Sequence, residues 1–170
     1  NYPAIYMSAV LTADSGNIDK IGEFITECKR MGIPVLPPNV NESFQGFSVV
    51  REKGVPDKIR FGLTTIKNFG EGIADSIIAE RKTNGRFVSL SDFLVRVKDQ
   101  SLNKKGLESL VECGALDSLG EPGRPDSGRG AMLASIELLL QYHRDASADN
   151  GHDSLFSGLG GSVNDLHIPE

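Results

Sequence analysis

The nine residues Ile66-Lys67-Asn68-Phe69-Gly70-Glu71-Gly72-Ile73-Ala74 combine a tight turn with the start of a helix. Phe69 stands between two turn-forming residues, Asn68 and Gly70. A helix N-terminus carries N–H groups without intrahelical acceptors and a partial positive charge. A phosphate can sit there without help from any side chain. In this reading Gly70 lets a phosphate approach the backbone, the amides of residues 68–70 face it, and Gly72 lies in the same cradle. Phe69 plugs into the core and holds the turn, while Lys67 and Lys82 add side-chain contacts. Binding of this kind carries no base information. The same pattern also suits an ordinary helical pair that holds no ligand.

A second pair of short helical segments opens at Asn103-Lys104-Lys105 and turns at Cys113-Gly114-Ala115-Leu116. It reads either as a second, degenerate hairpin in which Lys104 and Lys105 add positive charge, or as a structural pair packed on the first.

Other chemistries find little support. Metal-dependent phosphoryl transfer needs clustered carboxylates, yet no Asp-x-Asp pair occurs, and Asp75, Asp92 and Asp117 fall on separate segments. His143, His152 and His167 lack partners at metal-ligand spacing. Gly158-Leu159-Gly160-Gly161 is flanked by no strand and no helix, so it is not a phosphate loop. Cys28 and Cys113 stand alone, which suits a reducing cytosol better than a zinc site or a disulfide. No apolar run reaches membrane-spanning length, and the N-terminus is no signal peptide. The absence of a starting Met suggests a chain cut from something longer.

The net charge of −5 argues against a polyanion partner until it is mapped. Residues 51–110 hold 12 Lys plus Arg against 8 Asp plus Glu, a local +4. The rest of the chain holds 6 against 15, a net of −9. A polyanion should therefore meet the middle third.

The elements that must position these residues are short. Pro3 opens a helix running to about Leu11. Ile21, Phe24, Ile25, Cys28 and Met31 repeat at helical spacing, and Gly32 ends that helix. Pro34, Pro37 and Pro38 impose an extended connection. Residues 47–50 and 59–63 form a small β-hairpin. Helices follow over about 64–67 and 71–82, the second burying Ile73, Ala74, Ile77 and Ile78. Ala74 is small enough for the two to cross closely. Ser89 to Asp92 is a capping box for a helix over 93–97. Asn103 caps another that ends at Gly114. Residues 121–130 read as a linker, 131–144 as one amphipathic helix, and the chain beyond Asp145 as a polar, largely disordered tail. The fold class is mainly α, with tandem helical hairpins and one small β-hairpin.

The stretch around Asn68 resembles the helix-hairpin-helix motif, with Asn where glycine is usual; Asn tolerates the left-handed conformation better than other side chains. The order of further blocks is more specific. Tyr2-Pro3-Ala4 to Leu11-Thr12, Glu27 to Ile33, Val35-Leu36-Pro37-Pro38-Asn39-Val40-Asn41-Glu42-Ser43, Ile59 to Leu63 and Asn103-Lys104-Lys105 follow one another in an order that resembles the alpha subunit of bacterial DNA polymerase III. The resemblance implies a non-catalytic segment that holds primer-template duplex, with the catalytic carboxylates and Mg²⁺ lying outside this chain. It implies the end of the fingers region over 1–45, a helix-hairpin-helix module over 46–120, a linker and helix over 121–145, and a tail over 146–170. In that tail His152-Asp153-Ser154-Leu155-Phe156 stands where the family often carries a sliding-clamp peptide, with His in place of the usual Gln. Duplex DNA, the remainder of the polymerase subunit and the clamp are the implied partners. A helix-hairpin-helix module of a repair or junction-binding protein is the alternative, and a scaffold whose hairpin binds nothing is a third.

Overall fold

A computed structural model describes residues 2–98, 102–119 and 128–148. Helix α1 (Pro3–Ala13) has proline in its first turn, where the missing N–H costs nothing. Helix α2 (Ile18–Arg30) is capped by the Asn17 side chain, which accepts from the Lys20 amide. It stops at Gly32, whose φ of 71° lets the amides of Gly32 and Ile33 return to the carbonyls of Lys29 and Cys28.

The proline-rich connection, expected as extended chain, holds a strand. Strand β1 (Val35–Leu36) pairs in parallel with β3 (Lys58–Arg60), which pairs antiparallel with β2 (Ser48–Val50). The expected hairpin is thus part of a three-stranded sheet in the order β1-β3-β2. Proline tolerates an edge strand, and here the Pro34 carbonyl accepts from the Ile59 amide and the Leu36 carbonyl from that of Phe61. The strands therefore come from both sides of position 45. One hydrophobic cluster joins sheet and first helices through Ala4, Met7, Leu11, Cys28, Ile33, Phe47 and Ile59.

A larger cluster belongs to the helices that follow: α3 (Glu71–Asn84), α4 (Leu90–Arg96), α5 (Lys104–Glu112), α6 (Arg129–Ala134) and α7 (Ile136–Ala148). On α3 the buried positions are Ile73, Ala74, Ile77 and Ile78, as the periodicity predicts. Two caps also follow expectation: Ser89 accepts from the Asp92 amide, and Asn103 from that of Gly106. Gly114, at φ 80°, ends α5 with bonds back to Val111 and Leu110.

Two expectations need correction. The helix expected over 64–67 is a single 3-10 turn, Leu63–Thr65. Ile66 is already extended, so only a few residues separate the sheet from the turn at Asn68, too few to propagate an α-helix. The helix expected over 131–144 is two, α6 and α7, broken at Ser135 (φ −101°, ψ 14°), and α6 takes in Arg129 and Gly130 from the expected linker. No physical cause for the break is evident in the local sequence.

The two clusters are joined by the loop over residues 37–46. Val40 is fully buried among the helices, and its amide donates to the Ala115 carbonyl. The buried Asn41 amide bonds both the N–H and the carbonyl of Phe87. Ser43 donates to the Phe61 carbonyl and accepts from the Asn39 amide. Across this loop run residues 62–64: the amides of Leu63 and Thr64 donate to the carbonyls of Phe44 and Gln45.

Arg96 fastens the end of α3 to α4. It bonds Glu80, Asp92 and the carbonyls of Gly85 and Arg86, and lies 4.5 Å from the Phe87 ring centroid. Its hydrogen bond, with one from Asn84, holds the Glu80 carboxyl below the ordinary value of 4.5. A depressed carboxyl contributes stability above its unfolded value and loses it as pH falls through the folded one. Arg96→Ala is therefore expected to cost about 2 kcal/mol at neutral pH, because its charged hydrogen bonds disappear. The gap to the parent should narrow in thermal melts run below pH 4.5. A constant gap across that range would show that Glu80 is not the partner that matters.

Candidate nucleic-acid interface

The hairpin is built by three constraints. The 3-10 turn brings the chain off the sheet with the Ile66 amide bonded to Leu63. Asn68 then takes φ 60°, and among the described residues no other non-glycine has a positive φ. Asn thus occupies the left-handed position expected of glycine. Phe69 turns inward, 7% exposed, into the larger cluster.

Gly70 follows as the N-cap residue of α3 with φ −83° and ψ 166°. Its backbone is ordinary, so its value lies in the missing side chain. A Cβ at Gly70 or Gly72 would meet nothing within 4 Å, which leaves the approach to the helix end open. Not all the amides of the turn face outward: Phe69 N–H donates to the Ile66 carbonyl at 3.2 Å. The Ala74 amide closes the first helical turn on Gly70. Helix geometry therefore leaves the amides of Glu71, Gly72 and Ile73 without intrahelical acceptors. No side chain caps α3, whereas α2, α4 and α5 are each capped by Asn or Ser. The exposed Glu71 carboxylate shares this first turn and competes with an incoming anion for the same field.

The first turn of α5 lies against the hairpin. A Cβ on Gly106 would stand 3.7 Å from the Asn68 carbonyl oxygen and 3.9 Å from the Phe69 ring. Beside this junction runs a groove of about 670 Å³ lined in part by Lys67, Asn68, Lys105, Thr65 and Ser109. Lys67 and Lys105, 38 positions apart in the chain, share it. Glu108 and Glu112 line it as well, so its charge is mixed. Pro37 and Pro38 form another part of the lining, and nothing local to the hairpin would have pointed to them.

The other basic candidates lie elsewhere. Lys104 is exposed and paired with Glu137 of α7; that bond raises its pKa. Lys82 is exposed on the last turn of α3, about 18 Å along the axis from Gly70. The structure thus gathers Lys67, Asn68, Phe69, Gly70, Gly72 and Lys105 around one turn, and leaves Lys82 at the far end of the helix.

The second pair begins with α5 and continues, after the Gly114 turn, into a 3-10 turn over Asp117–Leu119. Arg129 ties that turn down through Asp117 and the Glu112 carbonyl. Both cysteines are free, and burial pushes each thiol pKa upward. His143 is buried and its Nδ1–H donates to the Leu94 carbonyl. Among the described residues no three His, Cys, Asp or Glu side chains could together hold a metal ion, and no helix is long and apolar enough to cross a membrane. His152, Asp153, Ser154, Leu155 and Phe156 lie outside the described residues.

Comparison with known proteins locates this architecture. A helix-hairpin-helix motif family matches residues 32–125. The DNA polymerase III alpha subunit of Thermus aquaticus is 44% identical over 142 residues, 84% of this chain and 11% of that protein. That of Saccharopolyspora erythraea is 43% identical over 88% of this chain and 11% of its own length. That of Mycobacterium tuberculosis H37Rv is 40% identical over the whole chain and 14% of its own length. The chain spans roughly a tenth to a seventh of such relatives.

Proposed function

Because this chain belongs to the helix-hairpin-helix family, in the form carried by bacterial DNA polymerase III alpha subunits, we propose that it grips primer-template duplex through backbone phosphates and leaves nucleotidyl transfer to residues outside it. The observation that carries the reading is the open, uncapped start of α3 behind the Asn68 turn. A phosphate oxygen placed there accepts from the amides of Glu71, Gly72 and Ile73. Lys67 and Lys105, on the adjoining groove, supply charge to neighbouring phosphates. Backbone amides read no bases, which suits a polymerase that must pass over any sequence. They also let a chain of net charge −5 hold a polyanion, because the attraction is local. The relatives favour this setting over that of a repair or junction-binding module.

In this reading the Mg²⁺ that polymerase chemistry requires is held by carboxylates elsewhere in the subunit, and the present segment positions the duplex.

A salt titration tests the reading. Binding to a random-sequence duplex should fall in the non-specific range of about 10⁻⁴ to 10⁻⁶ M. The logarithm of the binding constant should decline linearly with that of salt concentration, with a slope of roughly −0.9 per phosphate engaged. Two to four engaged phosphates predict a slope of roughly −2 to −4. A flat titration, or strong preference for one sequence, would remove backbone binding as the mode.

The segment His152-Asp153-Ser154-Leu155-Phe156 is proposed to dock on the sliding clamp, its Leu-Phe pair entering an apolar pocket. Replacing Leu155 and Phe156 together by Ala should abolish retention on immobilised clamp while leaving duplex binding intact. Retention of the double variant would remove the clamp from this chain's partners.

A further inference from the structure

We infer that the outward face of α1 is a docking surface for a part of the polymerase subunit outside these 170 residues. From Tyr2 to Ala13 the chain carries no charged side chain. Ala4, Met7, Ser8 and Leu11 face the sheet and are buried. On the other side Tyr2 is 70% exposed, Ile5 42% and Tyr6 68%. Ala9 continues the same exposed line. These positions follow the i, i+3, i+4, i+7 spacing of a single helix face.

A helix without charge on any side is a helix meant to be covered on every side. The polar groups of α1 make the point sharper. Ser8 donates its hydroxyl to the Ile5 carbonyl and Thr12 to the Ser8 carbonyl, so both are satisfied within the helix. What remains outward is aliphatic and aromatic surface on the order of 300 Å², comparable to the largest apolar patch of an ordinary single domain, which is often a functional one. The two tyrosines offer apolar rings with a hydroxyl at the tip, the side chains that dominate the energetics of interface centres. The remaining exposed large apolar side chains, such as Val55, Val88 and Leu138, belong to other elements.

The occupant is set by the length of the relatives. This chain spans 11% of the Thermus aquaticus protein and 14% of the Mycobacterium tuberculosis one. In polypeptides of that size a neutral helix face has a covering surface available in the same molecule, at high effective concentration. The covering surface is expected to be apolar, with hydrogen-bond acceptors placed for the hydroxyls of Tyr2 and Tyr6. The inference rests on the polymerase relationship but is independent of the phosphate site, which lies on another element.

The test is a photo-crosslink in the full-length subunit that carries this segment. Tyr6 replaced by benzoylphenylalanine should form an intramolecular adduct with a peptide outside residues 1–170. The same probe at Val88, which is 82% exposed, should not. No adduct at Tyr6, an adduct to a second copy, or an adduct inside the segment would each overturn the inference. A companion variant, Ile5→Asp with Tyr6→Asp, should melt within about 2 °C of the parent when placed in the 170-residue chain, because both sites face solvent there. In the full-length subunit it should speed proteolytic release of the segment at least tenfold. Equal release rates would also overturn the inference. Duplex binding by the double variant should be unchanged, so a failed adduct and a failed phosphate site are separate results.

Discussion

Gly70→Glu is expected to leave the chain folded and to weaken duplex binding by roughly ten- to a hundredfold. The magnitude follows from removing one charge-assisted hydrogen bond, about 1.5–3 kcal/mol. The fold should survive because Gly70 has a common backbone conformation, φ −83° and ψ 166°, and a Cβ there meets nothing within 4 Å. Gly70 sits at the N-cap, where a side chain would project beside the amides of Gly72 and Ile73. A carboxylate there occupies the place of the phosphate and repels the next one along the strand. The salt slope should shrink in magnitude by about 0.9, as it does when one fewer phosphate is neutralised. Gly70→Ala, which adds bulk without charge, should lie between the two. Fluorescence anisotropy with a labelled duplex, beside thermal melts of both variants, makes the measurement. Unchanged affinity of a folded Gly70→Glu chain would move the DNA-binding surface away from this turn.

Gly62→Ala is expected to lower stability by about 3 kcal/mol, at the upper end of what overpacking usually costs. For a chain of this size that is a fall of roughly 6–12 °C in melting temperature. The backbone at Gly62 has φ −81°, so conformational preference plays no part. The obstacle is steric. A Cβ would come within 2.0 Å of the Gln45 carbonyl oxygen and 2.4 Å of the Gly46 carbonyl carbon and oxygen. Those atoms are backbone, and a rotamer change cannot relieve the clash. Two main-chain segments would have to part, and with them the bonds from Leu63 and Thr64 to Phe44 and Gln45. That crossing carries the chain from the sheet into the hairpin. A variant that folds at all should therefore also show weaker duplex binding, through displacement of the Asn68 turn. A melting temperature within 2 °C of the parent would show that the crossing is looser than its distances imply.

Much of the candidate site was legible in the residues themselves. Asn68 announced a left-handed turn, Gly70 an open helix start, and Ile73, Ala74, Ile77 and Ile78 an inward face. These are local properties, since capping, φ preference and helical periodicity act over a few residues. Where local preference was weak, expectation and structure diverged. Residues 64–67 have helical character but too little length to realise it. Residues 34–38 contain too much proline to look like a strand, and Val35 and Leu36 become one only because β3 offers a partner.

Local residues alone thus specify the inward face of α3, the caps at Asn17, Ser89 and Asn103, and the turn that opens α3, because neighbouring residues decide those. Three other things emerge from the packing of the whole chain: that Lys105 joins Lys67 at one groove, that Gly62 is a point of close backbone approach, and that one face of α1 remains uncovered. Each depends on pairs of residues distant along the chain. Their encounter is set by how two hydrophobic clusters close around a single connecting loop, and no local preference encodes that closure.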